Sequence, residues 1–432
     1  MAQAVKTPPK ARARSINWMK WSGVVVSVLI LVLLVLPALA DKSGARILQT
    51  TITGILSGGV YALVALGIVI INKASGVFNF AHGYMMLAGG FVFYSQFTTT
   101  ENLSVAAIGL LAAATVLMVM STIGQKGAVG LGGALKSLVT DRADFNAFVR
   151  GLSLQRIVIG LIAIVVLTVI MTLPGTGLGQ WLRAGVGAIS AAVLIGLGIE
   201  RFTIRPLIGQ PLFASVLMTL AVAELLRGVL KSLWGSLEVT IPVFATPDPV
   251  VAGAYLRLSP IRIDARETFL AGNIVINQGQ LIAFALALAA FAVFIIFFRY
   301  TNVGLAMRAT AEDQRLAQSV GLRVRVILAV AWAIAALLAM VAGVLQGGAN
   351  ILAPNATPLL ALAAFPAVLL GGLDSVPGAL VGGLIVGLIQ EWANFLFPGT
   401  QAGTELAPYV VLMIVLVIRP DGLFGQRRIE RI

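Results

Sequence analysis

The chain has 432 residues, of which 59% are hydrophobic and only 11% charged, and it carries a formal charge of +13. Soluble domains carry about 25% charged residues, so most of this surface does not face water. With no cysteine and a single histidine, His82, the sequence excludes disulfide scaffolds, thiolate or multi-histidine metal centres and cysteine nucleophiles.

The N-terminal "MAQAVKTPPKARARSINWMK" is basic throughout and precedes an apolar run near 22–40. A retained first membrane helix is expected there. Because "ALA" stands before Asp41, a cleaved signal peptide is the alternative. Further apolar segments follow near 47–71, 77–97, 103–123, 157–173, 183–199, 211–235, 279–298, 326–346, 358–373, 376–396 and 408–419. Runs of this length suit a hydrocarbon core about 30 Å thick. The expected fold is therefore an all-α polytopic membrane protein with about 10–12 transmembrane or re-entrant helices. The segment 358–373 is short and contains Pro366, and 408–419 is short as well, so either is a candidate re-entrant or broken helix.

Between the segments, basic residues gather in the N-terminal tail, at 125–156, around Arg201 and Arg205, at 299–325 and after Arg419. The loop at 236–278 is balanced. If every segment crosses, all five basic regions fall on one side, which places both termini in the cytoplasm. The charge thus belongs to membrane topology, and no nucleic-acid partner is expected. The stretch 125–156 reads as a cytoplasmic helix lying at the membrane interface, and 236–278, rich in proline and β-branched residues, as a short β-hairpin or irregular cap.

Catalytic signals are largely missing. There is no phosphate-binding loop and no nucleophile elbow. Glycine is abundant, and Gly378, Gly382, Gly383 and Gly387 recur at helix-packing spacing. Gly371, Gly372 and Pro377 mark a place where a helix breaks and re-forms, and such breaks at membrane depth often mark substrate pathways. Ionisable residues inside the spans are few and include Glu224 and Arg227, three apart on one helix face, and Glu391. In "GVFNFAHGYMMLAGG", Asn79 and His82 are also three apart and can supply hydrogen bonds to one side. Lining a pathway and tying down a neighbouring helix are both open for His82, and a metal on a lone histidine is not expected. The polar stretch 301–327 is helix-compatible from Leu305 to Ala317, and Gly321 can supply a left-handed turn at its end.

Four segments in order, "GGVYALVALGIVIINKASGVFNFAHGYMMLAGGF", "NVGLAMRATAEDQRLAQSVGL", "LLGGLDSVPGALVGGLIVG" and "IRPDGLFG", resemble the permease subunits of branched-chain amino acid ABC importers, and most closely the LivH-type half. The resemblance covers roughly 47–97 and 201–428. It implies a type II-like importer permease in the bacterial plasma (inner) membrane. The implied partners are a LivM-like second permease subunit, two ATPase subunits that hold ATP and Mg, and an extracytoplasmic solute-binding protein, with no cofactor in this chain. Substrate-pathway residues would be Asn79, His82, Gly83, Gly371, Gly372 and Pro377. ATPase coupling would fall to Arg308, Ala311, Glu312, Asp313, Ala317 and Gly321, with Arg315–Leu316–Ala317 standing where importers generally carry E-A-A. The solute would be a branched-chain amino acid or a related compound such as urea or an amide.

Residues 1–45 then form a basic tail with an extra membrane helix, 46–100 the N-terminal part of the permease core, 101–200 inserted helices, and 201–432 the C-terminal part with a coupling loop at 301–325. The alternative function is a degenerate permease serving as a structural or assembly subunit.

Overall fold

The computed structural model describes residues 43–98, 104–123, 154–174, 177–243, 261–264, 273–399 and 401–425. The expected helix at 22–40 and most of the interfacial segment at 125–156 lie outside these residues.

The eleven apolar segments that fall among the described residues are helices. In chain order, the described elements begin with α1 (Gly44–Ser75), α2 (His82–Thr98), α3 (Val105–Ile123), α4 (Leu154–Met171), α5 (Gly177–Ile199) and α6 (Leu212–Trp234). Strands β1 (Ile261–Asp264) and β2 (Asn273–Ile276) pair antiparallel, Ile261 opposite Ile276, as the hairpin expected within 236–278. Then come α7 (Gln278–Tyr300), α8 (Asn302–Glu312), α9 (Gln314–Ser319), α10 (Val324–Ala349), α11 (Thr357–Gly371), α12 (Val376–Leu396) and α13 (Gln401–Ile418). Among the described residues, seven helical spans are long and apolar enough to cross a membrane. The protein is an all-α polytopic membrane protein.

Helix α1 is the axle of the bundle. Every residue from Gly58 to Ile71 is buried, which suits a helix that is apolar all round. Its 32 residues span about 48 Å at about 1.5 Å per residue, more than a bilayer core requires. It ends where Gly76, at φ 70°, returns its N–H to the Asn72 carbonyl. Its closest partner is α12, and the small-residue spacing explains why. A Cβ on Gly383 would strike the Ala62 backbone, and one on Gly387 would lie 2.5 Å from the Gly58 Cα. The two backbones touch, which gains dispersion contact where lipid offers no hydrophobic drive. On its other side α12 meets α11, with Gly382 against the Ala367 carbonyl.

Helix α11 continues through Pro366. Its 15 residues reach only about 22 Å, short of a full crossing. Helix α5 is anchored to α2 by polar side chains. Gln180 donates to the Phe97 carbonyl at 2.7 Å and the Arg183 Nε to the Gln96 carbonyl at 2.8 Å, occupying acceptors left free at the end of α2. Past α5 the chain forms a π-turn (Glu200–Ile204), where buried Glu200 pairs with Arg205 at 2.8 Å. Glu224 and Arg227 form the expected pair on α6, exposed and 3.4 Å apart.

Candidate functional site: a polar cavity and a two-helix loop joined by one helix

At one end of the bundle lies a cavity of about 540 Å³ walled by α1, α12, the end of α10 and the start of α7. Ser57 and Tyr61 project from α1, Gln390 and Glu391 from α12, Gln346 and Asn350 from α10, and Gln280 from α7, with Glu238 at the edge. The Ser57 hydroxyl is 3.5 Å from the Glu391 carboxylate. Among the described residues, no lysine, arginine or histidine lines the cavity. Glu391 also makes no ion pair among the described residues. The cavity therefore presents hydroxyls, amides and carboxylates that favour donor-bearing or cationic groups over anions. The hairpin is tied beside it, since Gln49 on α1 accepts from the Val275 N–H at 2.7 Å and donates to its carbonyl at 2.6 Å.

The break between α1 and α2 is compact. Asn79 is fully buried and its Oδ1 accepts from the Ala81 N–H at 3.0 Å, while Nδ2 lies 3.2 Å from the Met85 sulfur. The Thr219 hydroxyl on α6 donates to the Phe78 carbonyl at 3.1 Å and fixes the break from outside. His82 opens α2, is fully buried, and packs its ring against Gly67 of α1. Neither ring nitrogen has a hydrogen-bond partner among the described residues. Gly83 abuts Pro358, whose helix also supplies Leu360 to the cavity wall. Asn79, His82 and Gly83 thus sit behind the cavity and do not line it.

Gly371, Gly372 and Pro377 lie at the opposite end. Helix α11 stops at Gly371, Gly372 adopts φ 100°, and α12 begins at Val376 with Ser375 accepting from the Gly378 N–H. Gly371 packs on Gly378. The "RPDGLFG" turn closes this break, Leu423 N–H donating to the Leu370 carbonyl at 2.7 Å and Phe424 N–H to the Gly371 carbonyl at 3.1 Å. Pro377 lines a separate cleft together with Arg308.

The loop at 301–325 shares this end. The single helix expected from Leu305 to Ala317 is two helices, because Asp313 takes an extended backbone (φ −153°, ψ 112°) and caps α9. Its carboxylate accepts from the Arg315 and Leu316 N–H groups at 2.8 and 3.0 Å. These bonds hold the Asp313 carboxyl below its ordinary pKa. Thr301 caps α8 in the same way. Met307, Thr310 and Ala317 are buried against the bundle, whereas Leu305, Leu316 and Val320 are exposed. Ala311 is half-buried, Arg308 is also half-buried, and Glu312 is exposed. Gly321, at φ 85°, ends α9 as the sequence anticipates, in a region costly for side chains. Gln314 donates to the Ala74 carbonyl at 3.1 Å. Helix α1 therefore touches the cavity with Ser57 and Tyr61 and the loop with its last turn.

A multi-helix membrane protein with a polar cavity at one end and a capped, partly apolar loop at the other has the build of a permease. Residues 123–418 match the sequence model of the family described as "Branched-chain amino acid transport system / permease component". The chain belongs to this family and is a membrane permease subunit of an ABC importer. It is 24% identical over 389 residues to the high-affinity branched-chain amino acid transport system permease protein LivH of Salmonella typhimurium, covering 89% of this chain and 97% of that protein. It is 25% identical over 386 residues to BraD, the corresponding permease protein of Pseudomonas aeruginosa, covering 89% and 98%. A segment of 131 residues, 29% of this chain, is 30% identical to 41% of a probable LivH permease of Methanocaldococcus jannaschii. No solved structure matches the chain. The family match runs through residues 123–200, part of the stretch assigned to inserted helices, and these relatives do not favour the structural-subunit alternative.

Proposed function

We propose that this chain forms, with a LivM-like second permease subunit, a type II-like translocation path for a small polar solute, a branched-chain amino acid or a related urea- or amide-like compound. Two separate ATPase subunits hold ATP and Mg and drive the transport, this chain having no ATPase site of its own, and an extracytoplasmic binding protein delivers the solute. The importer sits in a bacterial inner membrane with both termini of this chain cytoplasmic. The polar cavity faces outward, and α8–α9, with Arg308, Ala311, Glu312, Asp313, Ala317 and Gly321, docks on an ATPase through its exposed apolar side chains.

The observation that carries this reading is Glu391, an intramembrane carboxylate with no cation beside it among the described residues, in a cavity of hydrogen-bonding groups. Such a charge is costly unless a ligand meets it. The solute offers it an ammonium or amide donor, and its companions Ser57 and Tyr61 stand on α1, the helix that also touches α9. Solute occupancy and ATPase docking thus act on one rigid rod. Asn79, His82 and Gly83 support the wall behind the path, and Gly371, Gly372 and Pro377 set the inner exit.

The test is uptake by the reconstituted importer. Losing a charge-assisted hydrogen bond costs about 1.5–3 kcal/mol, so Glu391→Gln lowers uptake about tenfold or more while the ATPases remain bound. Uptake at the wild-type rate in this variant would remove Glu391, and the cavity with it, from the path.

A further inference from the structure

The cleft at the α8 end is separate from the polar cavity, and Pro377, placed above at the inner exit, forms part of its wall. It measures about 370 Å³ and gathers Lys73 from the last turn of α1, Arg299 from the last turn of α7 and Arg308 from α8. Its apolar wall is Ile295, Phe298, Pro377 and Phe424, and its one carboxylate among the described residues is that of exposed Asp374. Lys73 and Arg308 each lie 5.8 Å from the centroid of the Phe298 ring, within the range of attraction between a cation and an aromatic face. None of the three cations forms an ion pair among the described residues. Lys73 instead donates to the Asp374 carbonyl at 3.1 Å and Arg308 to the Arg299 carbonyl at 3.3 Å.

A basic residue at a helix C-terminus is favoured by the helix dipole. That accounts for Lys73 and Arg299 singly but not for the convergence of three cations from three helices on one hollow. An anion relieves it. The hollow is also continuous with lipid-facing surface: Ile295 is exposed, as are its α7 neighbours Val293 and Ile296. A ligand that is anionic at one end and apolar at the other uses both features, whereas soluble phosphate or an acidic side chain uses only the first.

The geometry points to a binding site for the phosphate headgroup of an anionic phospholipid of the inner leaflet, held by Lys73, Arg299 and Arg308 with an acyl chain along α7. This rests on the sidedness proposed above, which makes the α8 end cytoplasmic. The site ties α1, α7 and α8 together under the coupling loop, so lipid occupancy stiffens the element through which the ATPases act.

The full chain, purified with its co-purifying subunits in neutral detergent, is tested by native mass spectrometry. It is presented with equimolar phosphatidylglycerol and phosphatidylcholine of identical acyl chains. The wild type retains phosphatidylglycerol about tenfold over phosphatidylcholine, since each basic residue near an anionic surface adds substantially to attraction. Lys73→Gln with Arg299→Gln abolishes the preference, while Lys73→Arg with Arg299→Lys keeps it and so separates charge from folding. Equal retention by the wild type, or an intact preference in the Gln variant, overturns the site. Competition by glycerol phosphate as strong as by the lipid assigns it to a soluble phosphate instead, and expulsion of lipid by added ATPase makes it a protein interface. Uptake is measured on the same preparation, so failure of the importer reading is seen separately from failure of the lipid site.

Discussion

The contact between α1 and α12 makes a sharp quantitative prediction, because Gly383 within it should lose stability on change to alanine where a glycine in open space does not. A Cβ on Gly383 would meet the Cα and N of Ala62, with the Ala62 Cβ at 2.7 Å. Backbone cannot rotate away, so the helices must separate, and overpacking of this kind costs about 1–3 kcal/mol. At Gly185, in the interior of α5, an added Cβ meets nothing within 4 Å. There alanine removes the excess backbone freedom of glycine and gains at most about 0.5–1 kcal/mol. Unfolding by SDS in mixed micelles, followed by far-UV and near-UV circular dichroism, reads both. Gly383→Ala should shift the midpoint to lower SDS and Gly185→Ala leave it unchanged or raise it. Wild-type stability in Gly383→Ala would refute backbone contact as the basis of this packing.

The loop, the histidine and the topology can be tested as well. Asp313→Asn keeps an accepting oxygen and should preserve ATPase coupling better than Asp313→Ala, whereas Glu312→Lys with Asp313→Lys should detach or uncouple the ATPase; solute-stimulated ATP hydrolysis distinguishes them. Because the Asp313 carboxyl is held below its ordinary pKa of 3.8, its support of α9 is complete above that pH and lost as pH falls through the lowered value; protection of the α9 amides in pulsed hydrogen exchange should decline only there. His82→Ala should lower uptake without releasing the ATPase and without any response to added metal, as rates and co-purification will show. Since the chain has no cysteine, Ser319→Cys and Asn350→Cys can be labelled cleanly, the first only from the cytoplasm and the second only from outside; the reverse pattern would invert the proposed orientation.

The helices were legible because a bilayer demands uninterrupted apolar runs, and two of their ends because Gly321 and Gly372 supply backbone angles that other residues resist. The hairpin was legible from its β-branched composition. The split at Asp313 was not, since an aspartate within an amphipathic run reads equally well as a solvated position; only its backbone angles show it to be a cap. Glu391 stood out as an intramembrane charge, but its neighbours Tyr61, Gln346 and Gln390 did not. They come from three helices and share no sequence spacing, and the cavity exists only once α1 and α12 are in contact. The bond between Glu200 and Arg205 was hidden by a π-turn, which sets these residues at a spacing that ordinary helical periodicity does not flag.

The "RPDGLFG" turn has a consequence for biogenesis. Leu423 and Phe424 supply donors to carbonyls at the end of α11, yet they are translated after α13. Until they emerge, that helix end must be satisfied by water or lipid headgroups, and the break between α11 and α12 lacks its clasp. Closure of the clasp therefore reports that every preceding helix has been made. A chain stalled short of residue 423 keeps this helix end open.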